Sequence, residues 1–274
     1  MSQLIIVGAG LIGCSFAAGA RAAGLFSEIH ALEPDVSAAT RACELGHVDG
    51  TVTEIPASAA VLLACPSHAV VGWLNKLADH QGPVIDVASV KGALLQQLAA
   101  TGDLAPTGYV PCHPIAGRET SGPDAAAATL FLDKLVIVTP TAATHAEQLA
   151  LVKSWWRALG ARVEEMDADE HDRVYASTSH LPHLLAFAYL LGVDPEHLHH
   201  SGGGFRDFSR IGASDPDMWS AIFDLNSEAL LLVVEDFRGH LDDFVDAIAA
   251  QDSNRLHELI AQARVRRLGL GDLT

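Results

Sequence analysis

Imidazole titrates closer to neutrality than any other side chain, so a histidine at the mouth of a crevice is a natural proton acceptor. In YVPCHPIAGRE, residues 109–119, His113 closes a short apolar run and precedes a glycine-containing turn. A second run, VIDVASVKG, ends a candidate strand at Asp86 and presents Ser89 and Lys91 in the loop that follows. Ligands of a doubly wound sheet sit beyond the carboxyl ends of its strands, so His113 and Ser89 are expected to open onto one crevice. Cys112 adjoins His113, but neighbouring strand residues point to opposite faces, which argues against a Cys–His nucleophile pair.

A third chemical feature lies at the N-terminus. LIIVGAGLIG places Gly8, Gly10 and Gly13 in G-x-G-x-x-G spacing, after an apolar strand and ahead of a helical run that begins near Leu11 and Ile12. Gly8 serves the tight turn, Gly10 lets the backbone approach a pyrophosphate, and Gly13 permits close packing of helix on sheet. The helix N-terminus adds free N–H groups and partial positive charge. Glu33, twenty residues beyond Gly13 at the end of IHALE, is placed to accept hydrogen bonds from a ribose diol. Its carboxylate would repel a 2′-phosphate, so NAD is expected rather than NADP. A flavin site, or a glycine turn without a cofactor, is the alternative.

These groups need a scaffold. Apolar strand-like runs at Leu4–Val7, Glu28–Leu32, Ala60–Ala64, Val84–Asp86, Gly108–Pro111, Lys134–Val138 and Arg162–Glu165 alternate with alanine-rich helical stretches. That alternation predicts a parallel sheet covered by helices. From about Asp167 only helical periodicity continues: Ala168–Leu191, a short helix near Pro195–His199, Pro216–Arg238, and His240–Arg267 with a break near Asp252. The expected fold is an α/β doubly wound Rossmann domain over residues 1–166, followed by an all-α domain over residues 167–274. Long amphipathic helices in so small a second domain point to dimerisation through it, with a compact monomeric cap as the alternative.

Composition narrows the partners. Seventeen basic against 34 acidic residues give a net charge of −17, which opposes nucleic acid and anionic membrane surfaces. An anionic small substrate would require locally placed arginines. Cys14, Cys43, Cys65 and Cys112 form no C-x-x-C pair and read as free thiols in a reducing compartment. MSQLIIVGAG has no basic segment before its apolar run, and the apolar stretch at Ala229–Val234 is too short to span a bilayer. A cytoplasmic protein is expected. His180 and His183 lack a third ligand at metal spacing, and His197, His199 and His200 read as a solvated cluster, so no metal is expected. Arg264, Arg266 and Arg267 complement the end of the last helix rather than forming a nucleic-acid patch.

Taken in order, GAGLIG, DVASVKG, HPIAGRETSG, EHDRVYASTSHLPHLLAF and GGGFRDFSRIGASDPDMW resemble the prephenate and arogenate dehydrogenase family of tyrosine biosynthesis over nearly the whole chain. The resemblance implies a Rossmann domain with a helical dimerisation domain, and NAD-dependent oxidative decarboxylation of a cyclohexadienol. It implies His113 as catalytic base, Ser89 as its hydrogen-bonding partner, and Arg210 as the grip on a substrate carboxylate. Glu119 and Trp219 fall on pocket positions, and Asp207 on a carboxylate that orients polar neighbours. His180 and His183, three apart on one helical face, are expected to reach the substrate side chain. His171, nine residues before His180, is expected on roughly the opposite face, with a less secure role. With Thr274 following the last helix, neither a fused chorismate mutase nor an ACT domain is expected. Prephenate, or prephenate and arogenate together, is the expected substrate. The alternatives are arogenate alone, 4-amino-4-deoxyprephenate, a generic hydroxyacid dehydrogenase, or a non-catalytic NAD-binding sensor.

Overall fold

The computed structural model describes residues 3–102, 105–118 and 120–270. Eight strands, β1 (Gln3–Val7), β2 (Glu28–Leu32), β3 (Gly50–Thr51), β4 (Ala60–Leu63), β5 (Val84–Asp86), β6 (Tyr109–Pro114), β7 (Leu135–Val138) and β8 (Arg162–Glu165), form one sheet. Their order is β3-β2-β1-β4-β5-β6-β7-β8. All pairings are parallel except β6 with β7. The exception has a local cause: the chain returns from β6 to β7 without a crossover helix, which only an antiparallel neighbour permits. β3, two residues long, carries too little apolar pattern to be read from sequence.

Helices α1 (Leu11–Ala22), α2 (Val36–Glu44), α3 (Ser67–Lys76), α4 (Gly92–Ala100) and α5 (Ala146–Ala158) accompany the sheet. Two apolar layers result, as a parallel sheet covered on both faces requires. One gathers Ile6, Phe16, Val110, Cys112 and Trp156, the other Val61, Leu63, Leu74, Val84 and Tyr109. Cys112 thus belongs to the core. The four cysteines are free thiols.

The order of strands reverses about β1, between β2 and β4, and there the glycine turn lies. Gly8 has φ +102°, and a Cβ added to it would meet the Ala64 carbonyl oxygen at 2.5 Å. A Cβ at Gly13 would lie 2.2 Å from the Gly8 oxygen, whereas one at Gly10 would meet nothing within 4 Å. Two of the glycines close the turn on itself and the third leaves its outer side open.

After β8 the chain is helical: α6 (Ala168–Tyr175), a π-helical turn (Ala176–His180), α7 (Leu181–Leu191), a 3₁₀ turn (Pro195–His200), α8 (Gly203–Ser209), a second 3₁₀ turn (Arg210–Ala213), α9 (Pro216–Leu225), α10 (Ser227–Ala249) and α11 (Ser253–Gly269). The expected helix over 168–191 is present but interrupted by the π turn. The expected break between Arg238 and His240 is absent; α10 runs through it. An unexpected interruption falls at Asn226, while the expected break near Asp252 is present at residues 250–252, where Asp252 accepts from the Arg255 N–H and caps α11. Helix α8 was hidden by its glycines, which favour a loop reading.

By compactness the chain divides into residues 1–226 and residues 227–274. The second unit is α10 packed with α11. Among the described residues no helix is long and apolar enough to cross a membrane.

The glycine geometry makes a test. Gly8→Ala should lower unfolding stability by roughly 2 kcal/mol or more, because it adds both a clash and a strained φ. Gly72→Ala, in α3 with open space around its Cβ, should instead raise it by about 0.5–1 kcal/mol. Urea denaturation of the two variants measures both.

Candidate active site

Strand β6 carries His113 two residues beyond the last β5 pairing, Asp86 with Pro111. Its ring is buried at the carboxyl end of the parallel strands. His113 Nδ1 lies 2.8 Å from His171 Nε2, and His171 Nδ1 lies 2.8 Å from Asp172 Oδ1. This line fixes the protons. A carboxylate only accepts, so His171 carries its proton on Nδ1 and presents the Nε2 lone pair to His113. His113 must then donate from Nδ1, which leaves its Nε2 as the proton-accepting atom.

Each link is anchored. Asp172 accepts from the backbone N–H groups of Lys91 (2.8 Å) and Ala93 (3.1 Å). Burial would raise its carboxyl, but the bonds from His171, Lys91 and Ala93 outweigh it and hold the group ionised. The Lys91 side chain is wholly buried; its ammonium pairs with Asp86 and donates to the Cys112 carbonyl at 2.8 Å. Tyr109 donates its hydroxyl to the other Asp86 oxygen at 2.7 Å. A buried charge stripped of its partner would cost several kcal/mol, so this cation requires its carboxylate. The Tyr175 ring packs edge-on against His113 at 4.8 Å.

Burial first, then the nearby His171, Lys91 and His180, push the His113 imidazole well below the usual histidine range. It is neutral at pH 7, as a base must be before it acts. Burial also lowers His171, with Lys91 assisting and the Asp172 bond opposing.

His180, at the end of the π turn, is buried. Its Nδ1 accepts from the Asn226 amide at 3.0 Å, and the same amide donates to the Asp172 carbonyl at 2.9 Å. Burial drives His180 down to about 4. His183 stacks on Trp219 with centroids 3.6 Å apart and donates from Nδ1 to the Ser179 carbonyl at 2.9 Å. Burial lowers His183, the Ser179 bond opposes, and the Arg210 guanidinium lowers it further. The structure therefore gathers His113, His171 and His180, with Trp219, His183 and Arg210 beside them.

Several expectations need correction. His171 is not on the far side from His180; the π turn rotates the helix between them. The expected bond from Ser89 to His113 is absent: His113 Nδ1 is bonded to His171, and the half-buried Ser89 side chain makes no hydrogen bond among the described residues. Asp207 is exposed in α8. Glu119 lies outside the described residues. Asp172 and Asn226 are groups that sequence reasoning missed, and Lys91, noted in the loop after β5, was given no role. Asp172 was legible only as the neighbour of His171 in EHDR, and nothing in the spacing marks Asn226, 54 positions away.

At the glycine turn, Glu33 accepts from Ala9 N–H at 2.8 Å and from Asp35 N–H at 2.9 Å. The carboxylate that would read a ribose is thereby tied to the loop that would hold the phosphates. Helix α1 has no side-chain cap and no acidic residue in its first turn, which leaves its N–H groups and dipole for an anion. Gly8, Gly10, Leu11, Ile12, Gly13 and Glu33 fit a dinucleotide with an unmodified ribose. Among the described residues no cluster suited to a metal ion occurs.

A Rossmann sheet with its glycine turn, and a buried neutral histidine beyond the strand ends, define a dinucleotide-dependent oxidoreductase. Residues 16–165 match the prephenate dehydrogenase nucleotide-binding domain and residues 167–262 the prephenate dehydrogenase dimerization domain; the chain belongs to the prephenate dehydrogenase family. It is 34% identical to the cyclohexadienyl dehydrogenase of Zymomonas mobilis, over 98% of this chain and 96% of that one. The prephenate dehydrogenase from A. aeolicus, solved with hydroxyphenyl propionate and NAD+, superposes with a TM-score of 0.89 at 34% identity, covering 98% of each chain. The arogenate dehydrogenase of Synechocystis superposes with a TM-score of 0.80 at 30% identity, over 98% of this chain and 99% of that one.

The buried histidines predict how acid acts on the fold. His113, His171 and His180 bind protons less readily folded than unfolded, so the unfolded state gains protons first as pH falls. Their contribution to stability is complete above the unfolded imidazole value of about 6.5 and is lost as pH falls below it, that of His180 toward about 4. Thermal unfolding followed at pH 7.5, 6, 5 and 4.5 should show Tm falling steadily below pH 6.5, with a shallower fall for His180→Gln.

Proposed function

We propose that this chain catalyses the NAD-dependent oxidative decarboxylation of prephenate to 4-hydroxyphenylpyruvate in tyrosine biosynthesis, and accepts arogenate in the same pocket. The observation that carries the reading is the line Asp172–His171–His113, which leaves His113 Nε2 unprotonated at neutral pH. NAD, when bound, supplies the acceptor for the hydride that leaves the ring carbon bearing the hydroxyl. Gly8, Gly10, Leu11, Ile12 and Gly13 hold its pyrophosphate and Glu33 its adenosine ribose.

His113 Nε2 accepts the hydroxyl proton of the substrate. The imidazolium that forms keeps its Nδ1–H on His171, whose own N–H rests on the Asp172 carboxylate. Ser89 orients the hydroxyl from the loop after β5. Arg210 pairs with a substrate carboxylate, supplying locally the cation that a chain of charge −17 otherwise lacks. His180 and His183 meet the substrate side chain, with Trp219 as the apolar wall. Asp207 orients polar neighbours of the substrate, and His171 acts through His113. Loss of the ring carboxylate as carbon dioxide gives an aromatic product, which makes the reaction effectively irreversible.

A division into a nucleotide-binding domain over residues 1–166 and a dimerisation domain over residues 167–274 is supported by family models that match residues 16–165 and 167–262. A homodimer is favoured by apolar side chains exposed in the second unit, Leu231, Leu232, Val245 and Ile248 on α10 with Val265 and Leu268 on α11. The cytoplasm, where tyrosine biosynthesis would draw on NAD, is the assigned location.

Turnover of prephenate with NAD should release carbon dioxide and NADH in equal amounts, with NADP a poorer acceptor. His113→Asn should lower kcat by a factor of about 10² to 10⁴ while NAD affinity is nearly unchanged. Undiminished turnover in that variant would remove His113 as the base. Sedimentation at micromolar concentration should return a dimer, and Leu232→Glu should shift it toward monomer.

A further inference from the structure

His171 and His180 are nine residues apart on what is otherwise continuous helix. At about 100° per residue, nine α-helical steps place two side chains about half a turn apart, on opposite faces. A π turn is equivalent to one inserted residue. It reduces the effective separation to eight steps, an angle of about 80°, and both rings then fall on one side. The widened register is seen directly: the Leu181 N–H donates to the Ala176 carbonyl five residues back.

Two features of the sequence ASTSHLP hold that register. Pro182 has no N–H to offer the Thr178 carbonyl, and its ring would strike that carbonyl in a regular α-helix. Upstream, the hydroxyls of Ser177 and Thr178 both donate to the Val174 carbonyl, at 2.9 and 2.8 Å. Ser and Thr hydroxyls that reach back in this way satisfy a carbonyl whose helical bond is weakened and favour local distortion. Both side chains are exposed, so neither contributes to the core. Across the turn, the Asn226 amide spans from the Asp172 carbonyl to the His180 ring.

We propose that Ser177, Thr178 and Pro182 are positioning residues, which hold the π turn and thereby bring His180 into the same site as His113 and His171. The naming of the reaction rests on the function proposed above; the geometric claim does not. His180 faces Asp172, which raises its proton affinity, and His171 and His183, which lower it. Asn226 and the edge of Trp219 complete its surroundings, and His113 senses its charge.

The test compares Pro182→Ala, the pair Ser177→Ala with Thr178→Val, and the pair Ser177→Thr with Thr178→Ser, which keeps both hydroxyls. Titration of His180 by ¹H–¹⁵N NMR of the imidazole, on the whole chain without substrate, is the first readout. In the parent it should titrate near 4. In the first two variants, with circular dichroism confirming the fold, it should move up toward the ordinary imidazole range as the ring leaves its buried site. Their kcat/KM for prephenate should fall of the order of tenfold to a hundredfold, and the hydroxyl-retaining pair should return both readouts to parental values. A His180 that still titrates near 4 in both Pro182→Ala and the Ala/Val pair would overturn the proposal. A parent that titrates as expected yet leaves prephenate untouched would overturn the function proposed above and leave this inference standing.

Discussion

The hydrogen-bonded line from Asp172 through His171 to His113 is the constraint around which the rest of the structure is arranged. Its value lies in direction. A carboxylate at one end can only accept, so every proton along the line is assigned and the free lone pair emerges at His113 Nε2. That result needs a strand to carry His113 and a helix to carry His171 and Asp172. It also needs a loop that brings the N–H groups of Lys91 and Ala93 to the carboxylate. His171 and Asp172 fix the tautomer of the base as much as its position.

Burial is what makes the line effective and also what makes it demanding. Around His113 it removes water and lowers proton affinity, which suits an acceptor, but the same burial would expel an unpaired Asp172 or Lys91. The protein meets this by pairing both of these charges. Lys91 joins Asp86 and the Cys112 carbonyl through its side chain and Asp172 through its backbone, so one residue links the strand that carries the base to the helix that orients it. Tyr109 completes the Asp86 carboxylate. A family relationship to prephenate dehydrogenases accords with such a site, since the reaction needs a neutral base in a pocket that also holds an anionic substrate.

Much of this was legible from residues alone. The glycine turn announced itself through spacing, its preceding apolar strand and Glu33, because close backbone approach can be met only by glycine and leaves a positional signature. His113 was marked by its place at a strand end. The helical second half followed from periodicity. Less legible were features whose cause is not periodic: the two-residue β3, the antiparallel return at β7, and α8 among its glycines. Pro182 was in plain view inside a helical run, yet its consequence, a π turn rather than a kink or a stop, depended on Ser177 and Thr178 satisfying the Val174 carbonyl.

By itself the sequence determined the fold class, the dinucleotide turn with its acidic partner, and the histidine to which chemistry should be assigned, since each rests on local rules of backbone conformation and apolar periodicity. Only the tertiary structure decided which group orients that histidine. Ser89 was the expected partner; His171 took its place, because α6 packs with its Asp172 carboxylate on the N–H groups of Lys91 and Ala93, and the π turn that follows carries His180 to the same side. Asn226 joins that site from 54 positions beyond Asp172. Long-range contacts of this kind are selected by packing and by the need to satisfy buried polar groups, and neither leaves a fixed spacing in the chain.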